Sequence, residues 1–336
     1  MTLARNATFR QLAAFDAVAR LGSVSLAAAE MHLTPPAVSI QISGLEASAG
    51  TPLVQRSGRG IRLTEAGDLL AHYAARLLAL WQEAGDEMAT LQGVFSGTLR
   101  VGAVTTAEYL LPPLLVDFAN ANPKVKVKLQ VGNRDAIVRM LAGQGVDLAI
   151  MGRPPRELKT VSHAFAKHPM AFVAAPSHPL MVDGRPGIER LADELILVRE
   201  RGSGTRAMVE QLFKDAALPL RIGSELSSNE AIKQMCAAGF GVAFLSLHTC
   251  VLEMDAGLLA LLPIANNPIE RDWHVMHLAT SQLSQVATAF EAFLCAEGQR
   301  QVDARIARIE PGSARPSTRP RRGAGSRSRG SLRPPS

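Results

Sequence analysis

The sequence predicts a multidomain chain: a small, all-α-rich head with a β-hairpin, one long helix, and a two-lobed α/β body. Three observations lead there. The chain has 336 residues, more than one ordinary domain holds. Its first 63 residues break into short helical segments and turns, while Thr64 to about Gly93 keeps helical periodicity throughout. From Gly97 to about Leu294, strand-like and helix-like segments alternate, which is the pattern of a mostly parallel sheet with helices packed on it. A hydrophobic fraction of 47% supplies the cores.

In the head, Phe9, Leu12, Phe15, Val18 and Ala19 follow helical spacing, and Gly22 stops that helix. Ser25 is the expected cap of a second helix, Leu26 to Met31. Thr34 is a good N-cap for a third, because Pro35 and Pro36 suit a first turn whose N–H groups have no helical partner. In the third helix Val38, Ile42 and Leu45 face inward, leaving Ser39, Ile40 and Ser43 outside. Leu53 and Val54 begin a strand, Arg56 to Gly60 form a tight basic turn, and Ile61 to Leu63 return. A helix, a turn, an exposed helix and a basic hairpin, in that order, make a winged helix-turn-helix. An exposed helix fits the major groove of double-stranded DNA, and arginines on a wing reach phosphates or a narrow minor groove. The candidate DNA contacts are therefore Thr34, Pro35, Pro36, Ser39, Ile40 and Ser43, with Arg56, Arg59 and Arg62 of the wing.

The long helix carries Leu70, Tyr73, Leu77, Leu80, Ala84 and Met88 at steps of three and four, with Leu69, Leu78 and Trp81 widening the face. A lone helix would leave this stripe in water, so it is expected to pair with a second copy.

In the body the expected strands are Thr98 to Val104, Lys124 to Val131, Asp147 to Met151, Leu195 to Val198, Arg221 to Leu226, Val242 to Leu245 and Trp273 to Ala279. The expected helices are Ala107 to Asn120, Asp135 to Leu141, Thr205 to Ala216, Glu230 to Ala238 and Gln282 to Leu294. Two such lobes form a cleft at the strand ends, where ligands usually bind. Thr105 and Thr106 occupy one strand-to-helix turn, and Ser203, Gly204, Thr205 and Arg206 another. Such turns present free N–H groups to an anion. Asn133, Arg134, Gly152 and Arg153 lie at two more strand ends, and Asn229 precedes a helix. These residues are the candidate site for a small anionic effector. The bland alternatives are that Asn229 serves only as a helix cap and Arg134 only as a surface residue.

Charge argues less than it first suggests. The net charge is +6, but the segment 311–336 holds seven arginines and no acid. Removing those seven from 36 basic residues leaves 29 against 30 acidic ones. The Pro-, Gly-, Ser- and Arg-rich composition of 311–336 predicts a disordered tail. Cys236, Cys250 and Cys295 form no metal-binding spacing and read as reduced packing residues of a cytoplasmic protein. No apolar run spans a bilayer, and the opening residues lack the pattern of a signal peptide. No histidine sits in a catalytic spacing, and the GSGT turn is not a nucleophile elbow, so neither an enzyme nor a bound cofactor or metal is expected.

Ser25 to Gly67 resembles the DNA-binding domain of LysR-type transcriptional regulators. The likeness rests on the AAA of the second helix, the L-T-x-P-A-V-S-x-Q-I-x-x-L-E run from Leu33, the G-x-P-L-x-x-R entry to the hairpin and the R-L-T-E-A-G exit. Pro35 replaces the usual glutamine, and Ile40 and Ser43 stand where a basic residue is common. The stretch from about Leu91 to Leu294 is similar to the periplasmic-binding-protein-like effector domain of the same family. VTTAEYLLPPLL, LQVGNR, DLAIMGRPP and the run Pro176 to Pro179 are similar to regulators of the RuBisCO (Calvin cycle) operon. The resemblance implies a DNA-binding domain at 7–65, a dimerisation helix at 66–93 and an effector domain at 94–298. Lobe 1 would span about 97–165 and 270–298, and lobe 2 about 166–269. It also implies a homodimer or homotetramer, an activator that meets RNA polymerase, and a phosphorylated metabolite or NADPH as effector. An arginine-lined cleft equally suits a carboxylate effector from another pathway.

Overall fold

The computed structural model describes residues 6–57, 60–91, 95–181 and 187–306. Arg59 and the arginine-rich tail, both singled out above, lie outside the described residues.

The head comprises α1 (Phe9–Leu21), α2 (Val24–Glu30), α3 (Pro35–Ala49) and the hairpin of β1 (Val54–Ser57) and β2 (Gly60–Leu63). A capping box starts α1: the Gln11 N–H donates to Thr8 Oγ1 at 3.2 Å, and the Thr8 N–H donates to Gln11 Oε1 at 2.9 Å. Gly22 ends the helix at φ 61°, a left-handed conformation in which glycine carries no Cβ penalty. The cap of α2 is Ser23, two residues before the expected Ser25, so the helix begins at Val24. Thr34 caps α3 as expected, accepting from the Ala37 N–H. Phe15, Val18, Val38, Leu45 and Leu53 form the head core.

α4 (Glu65–Leu91) leaves the head as one helix of 27 residues. Its first turn explains the R-L-T-E-A-G exit. Thr64 Oγ1 accepts from the Gly67 N–H at 3.0 Å and donates to the Pro52 carbonyl at 2.8 Å. A Cβ at Gly67 would lie 2.0 Å from the Leu53 carbonyl oxygen, so only glycine lets the helix cross the strand there.

Each lobe of the body is a five-stranded mixed sheet covered on both faces. Lobe 1 contains β3 (Gly97–Val104), α5 (Leu111–Ala121), β4 (Val125–Gly132), α6 (Arg134–Ala142), β5 (Leu148–Met151) and β6 (Thr160–Lys167). Lobe 2 follows with β7 (Met170–Ala174), β8 (Ile196–Arg199), α7 (Gly204–Asp215), β9 (Ile222–Leu226), α8 (Asn229–Ala237), β10 (Val242–Ser246), α9 (Leu247–Asp255) and β11 (Ala260–Leu261). The chain then returns to lobe 1 through β12 (Asp272–Leu278) and α10 (Gln285–Ile306). The strand orders are β4-β3-β5-β12-β6 and β11-β7-β10-β8-β9. Side-chain alternation serves both faces. Leu148 and Ile150 pack under α5 and α10, whereas Ala149 and Met151 pack under α6.

The expected helix Ala107 to Asn120 is broken in two. Thr105–Tyr109 is a 3₁₀ turn, and α5 starts at Leu111 with Pro112 and Pro113 in its first turn. Strands β6, β7 and β11 and helix α9 were not anticipated. Two adjacent crossings join the lobes. The His168 N–H donates to the Arg271 carbonyl at 2.7 Å, and Met170 and Ile269 exchange bonds at 3.0 and 2.7 Å.

Candidate nucleic-acid interface and interlobe cleft

Helix α3 turns Val38, Ile42 and Leu45 into the core and leaves Thr34, Pro35, Pro36, Ser39, Ile40 and Ser43 exposed on one side. Ile40 is 68% exposed, an apolar side chain among polar ones on this surface. Glu46, one turn on, fixes the wing: its Oε1 accepts from the N–H groups of Leu53 and Val54 at 2.8 and 3.2 Å. The wing separates two of its arginines. Arg62 pairs with Gln55 and Arg56 with Ile61, and successive strand residues point to opposite faces. Arg62 therefore leaves from the outer face, and Arg56 from the face that packs on the head.

On α4 the expected dimer stripe is narrowed at two positions. Leu70 and Leu78 are partly buried and pack against the head core, together with Ala66 and Ala74. Leu69, Tyr73, Leu77, Leu80, Trp81, Ala84 and Met88 remain exposed. Trp81 stacks on Phe9 at 4.7 Å between ring centroids, extending the apolar stripe onto α1.

Between the lobes lies a cavity of about 410 Å³. The ends of β3, β4 and β5 meet the N-terminus of α7 there, because parallel strands of one sheet present their carboxyl ends on one side. Thr105, Thr106, Asn133, Arg134, Gly152, Arg153, Ser203, Gly204 and Thr205 all line it. Four arginines, Arg134, Arg153, Arg156 and Arg271, face it against one acid, Glu157. Arg134 is already held by Glu157, at 2.9 and 3.4 Å. The Ser203 side chain makes no capping bond to α7, which leaves the first N–H groups of the helix for an anion. By contrast, Asn133 uses its Oδ1 to cap α6, accepting from the Ala136 N–H at 3.0 Å. Met151, Met170 and Met208 supply an apolar wall.

Two expected residues do not reach this cavity. Arg206 is buried and turned the other way. It donates to Glu210, Glu225 and the Arg199 carbonyl, and these carboxylates hold its guanidinium above its ordinary pKa. Asn229 is buried and accepts from Arg199 Nη1 at 2.5 Å. Both serve a clasp built on Arg199, a residue the sequence did not single out although it ends a strand just before the GSGT turn. Arg199 is 2% exposed and also donates to Glu200, to the Ser227 carbonyl and, across the lobes, to Thr105 Oγ1 at 3.1 Å. Beside it, the Tyr109 hydroxyl of lobe 1 donates to Glu230 of lobe 2 at 2.5 Å. Lys233 bridges Glu230 and Glu253, each at 2.8 Å, and lies 5.1 Å from the centre of the Tyr109 ring.

His168, Arg156, Glu157 and Arg271 also line the cavity and escaped sequence reasoning. His168 stacks on Trp273 at 3.7 Å between centroids. Its Nδ1 edge presses on Gly152, where an added Cβ would come within 2.9 Å. Cys236 and Cys250 are buried packing residues whose thiols burial pushes up to about 11 and about 12. Among the described residues no helix is long and apolar enough to cross a membrane.

Comparison with known proteins agrees with this architecture. Residues 9–68 match the bacterial regulatory helix-turn-helix protein, lysR family, and residues 92–299 match the LysR substrate binding domain. The chain is 42% identical over 290 residues to the HTH-type transcriptional regulator CfxR of Cupriavidus necator, covering 86% of this chain and 92% of that one. It is 44% identical over 286 residues to the HTH-type transcriptional regulator CbbR of Rhodospirillum rubrum, covering 85% and 95%. Among solved structures, the regulatory domain of Synechocystis PCC6803 CcmR in complex with 2-PG matches at 39% identity with a TM-score of 0.57. That match covers 59% of this chain and 96% of that one. A DNA-reading head, a long exposed helix and a cleft between two α/β lobes are thus accounted for together: the chain belongs to the LysR family of transcriptional regulators, a family of DNA-binding proteins and not of enzymes.

Proposed function

We propose that this chain regulates transcription of a carbon-fixation (RuBisCO) operon, as an activator controlled by a small phosphorylated acid. The observation that carries the effector reading is the interlobe cavity, where four arginines and the uncapped start of α7 meet a single glutamate. Such a site suits an anion of two or more charges. The 39% identical CcmR domain, solved with 2-PG (2-phosphoglycolate), supports the class. Relatives named as RuBisCO operon regulators, at 37% and 39% identity, support the pathway. In this reading residues 7–65 read DNA in the cytoplasm, 66–93 pair two copies, and 94–298 bind the effector. The ligand acts by preferring one of two quaternary arrangements, and RNA polymerase is the downstream partner.

The test is a DNA-binding assay on the promoter region beside its gene, with and without 2-phosphoglycolate, ribulose bisphosphate, phosphoenolpyruvate and NADPH. Sequence-specific binding at moderate salt, with a footprint altered by one phosphorylated compound, is expected. No specific retardation would overturn the regulator reading. A response only to a non-phosphorylated carboxylate would replace the effector class.

A further inference from the structure

We propose that His168 is a direct contact of the anionic effector and takes up a proton as that effector binds, making effector sensing pH-dependent. This rests on the reading of the interlobe cavity as the effector site.

His168 is 6% exposed and lies at the crossing between the lobes, on the cavity lining. Neither of its ring nitrogens has a hydrogen-bond partner among the described residues. A buried imidazole with both nitrogens unsatisfied is costly, because most buried polar atoms find a partner. The neighbours keep it that way. Trp273 stacks on one face of the ring, and its indole N–H is spent on His248 Nδ1 at 3.2 Å. Gly152 lies under the Nδ1 edge and offers no side chain. The ring thus lies at the cavity with its polar atoms unspent and covered by their neighbours.

The charges that face it are one-sided. His248 of α9 lies 5.9 Å away between centroids, and Arg271 and His274 act on it from the return crossing and β12. Arg134, Arg153 and Arg156 share the cavity, and Glu157 is bound to Arg134. Burial first, then His248, Arg271 and His274, hold the imidazole well below its ordinary pKa. It is therefore neutral when no anion is present. A phosphoryl group or carboxylate placed against it reverses the balance, since an opposite charge within hydrogen-bond reach favours the protonated ring. The proton comes from solvent, one nitrogen donates to the ligand, and linkage makes affinity rise as pH falls.

Titration calorimetry of the full chain with 2-phosphoglycolate at pH 7.5, in buffers of different ionisation enthalpy, counts the protons. Titrations with the non-phosphorylated acids glycolate and shikimate run beside it. Net uptake by the wild type is expected, with affinity several-fold tighter at pH 6.5 than at pH 8.0. In His168→Gln the uptake is lost, the pH dependence flattens and affinity falls about tenfold. In Arg153→Ala affinity falls but uptake persists, which separates charge from proton transfer. Histidine ring NMR of the wild type, free and with 2-phosphoglycolate, reads the His168 protonation state without any substitution. Tight binding with no proton uptake and a neutral His168 ring would overturn this proposal while leaving the effector reading intact. No binding of 2-phosphoglycolate, with the other phosphorylated compounds silent too, would overturn both.

Discussion

Arg199 illustrates what a single side chain does in this body. Its guanidinium is held by Glu200, Asn229, the Ser227 carbonyl and, from the other lobe, Thr105. A planar fork with five donors can satisfy that many partners at once, which an ammonium cannot. Arg199→Ala strands Asn229 in a buried setting and leaves the partly exposed Glu200 without its partner. It should cost about 1–3 kcal/mol, the range for a buried polar group left unsatisfied, read by urea denaturation of the chain. Arg199→Lys should recover only part of this loss. Thr105 belongs to both the clasp and the cavity lining, so an effector that bonds its hydroxyl competes directly with a cross-lobe contact. At this scale the sequence was least legible. Residues 105 and 199, or 168 and 273, meet only through the fold, and no local spacing announces them. Arg206 is the exception: Glu210, one helical turn away, was visible as its partner and could have withdrawn it from the site.

Elements were easier to read wherever period and cap agreed. Thr34, the two prolines and the spacing of Val38, Ile42 and Leu45 defined α3, because a cap and a buried stripe both leave marks in sequence. Strand β7 left none: Met170 to Ala174 is a short apolar run, which periodicity cannot assign. Helix α9 was hidden because β10 runs into it at Ser246 and Leu247, with no glycine or proline between. The departure of α3 from its family now has a physical form. A largely exposed isoleucine sits in the middle of the surface proposed to face the groove, suited to a thymine methyl or to shape rather than to a hydrogen-bonded base edge. The junction of head and α4 is set by Gly67. A methyl group there would meet the Leu53 carbonyl at 2.0 Å, so strand and helix must move apart. Gly67→Ala should destabilise the head by about 1–3 kcal/mol or more, the range for overpacking. A calorimetric scan would show its unfolding moved to lower temperature, and DNA affinity would fall with it.

For the whole molecule, the exposed stripe of α4 determines what the chain can do alone. Leu69, Tyr73, Leu77, Leu80, Trp81 and Met88 are all exposed along it, and a contiguous apolar patch of this kind marks an interaction surface. Two heads reading two half-sites need a fixed spacing, which α4 sets in the proposed reading. Leu77→Asp should leave each copy folded but shift the sedimenting species towards monomer. Affinity for a two-half-site operator should drop at least tenfold, with affinity for an isolated half-site unchanged. The order of the chain also has a consequence for how such proteins can be recombined. Lobe 2 enters after β6 and leaves before β12, and its two ends are hydrogen-bonded to each other at Met170 and Ile269. Its ends therefore sit one strand spacing apart, about 5 Å, a gap a residue or two can span. Lobe 2 is in effect a cassette inserted into lobe 1. The wall of the cavity that lobe 2 supplies is one continuous insertion, and the head, α4 and lobe 1 lie wholly outside it.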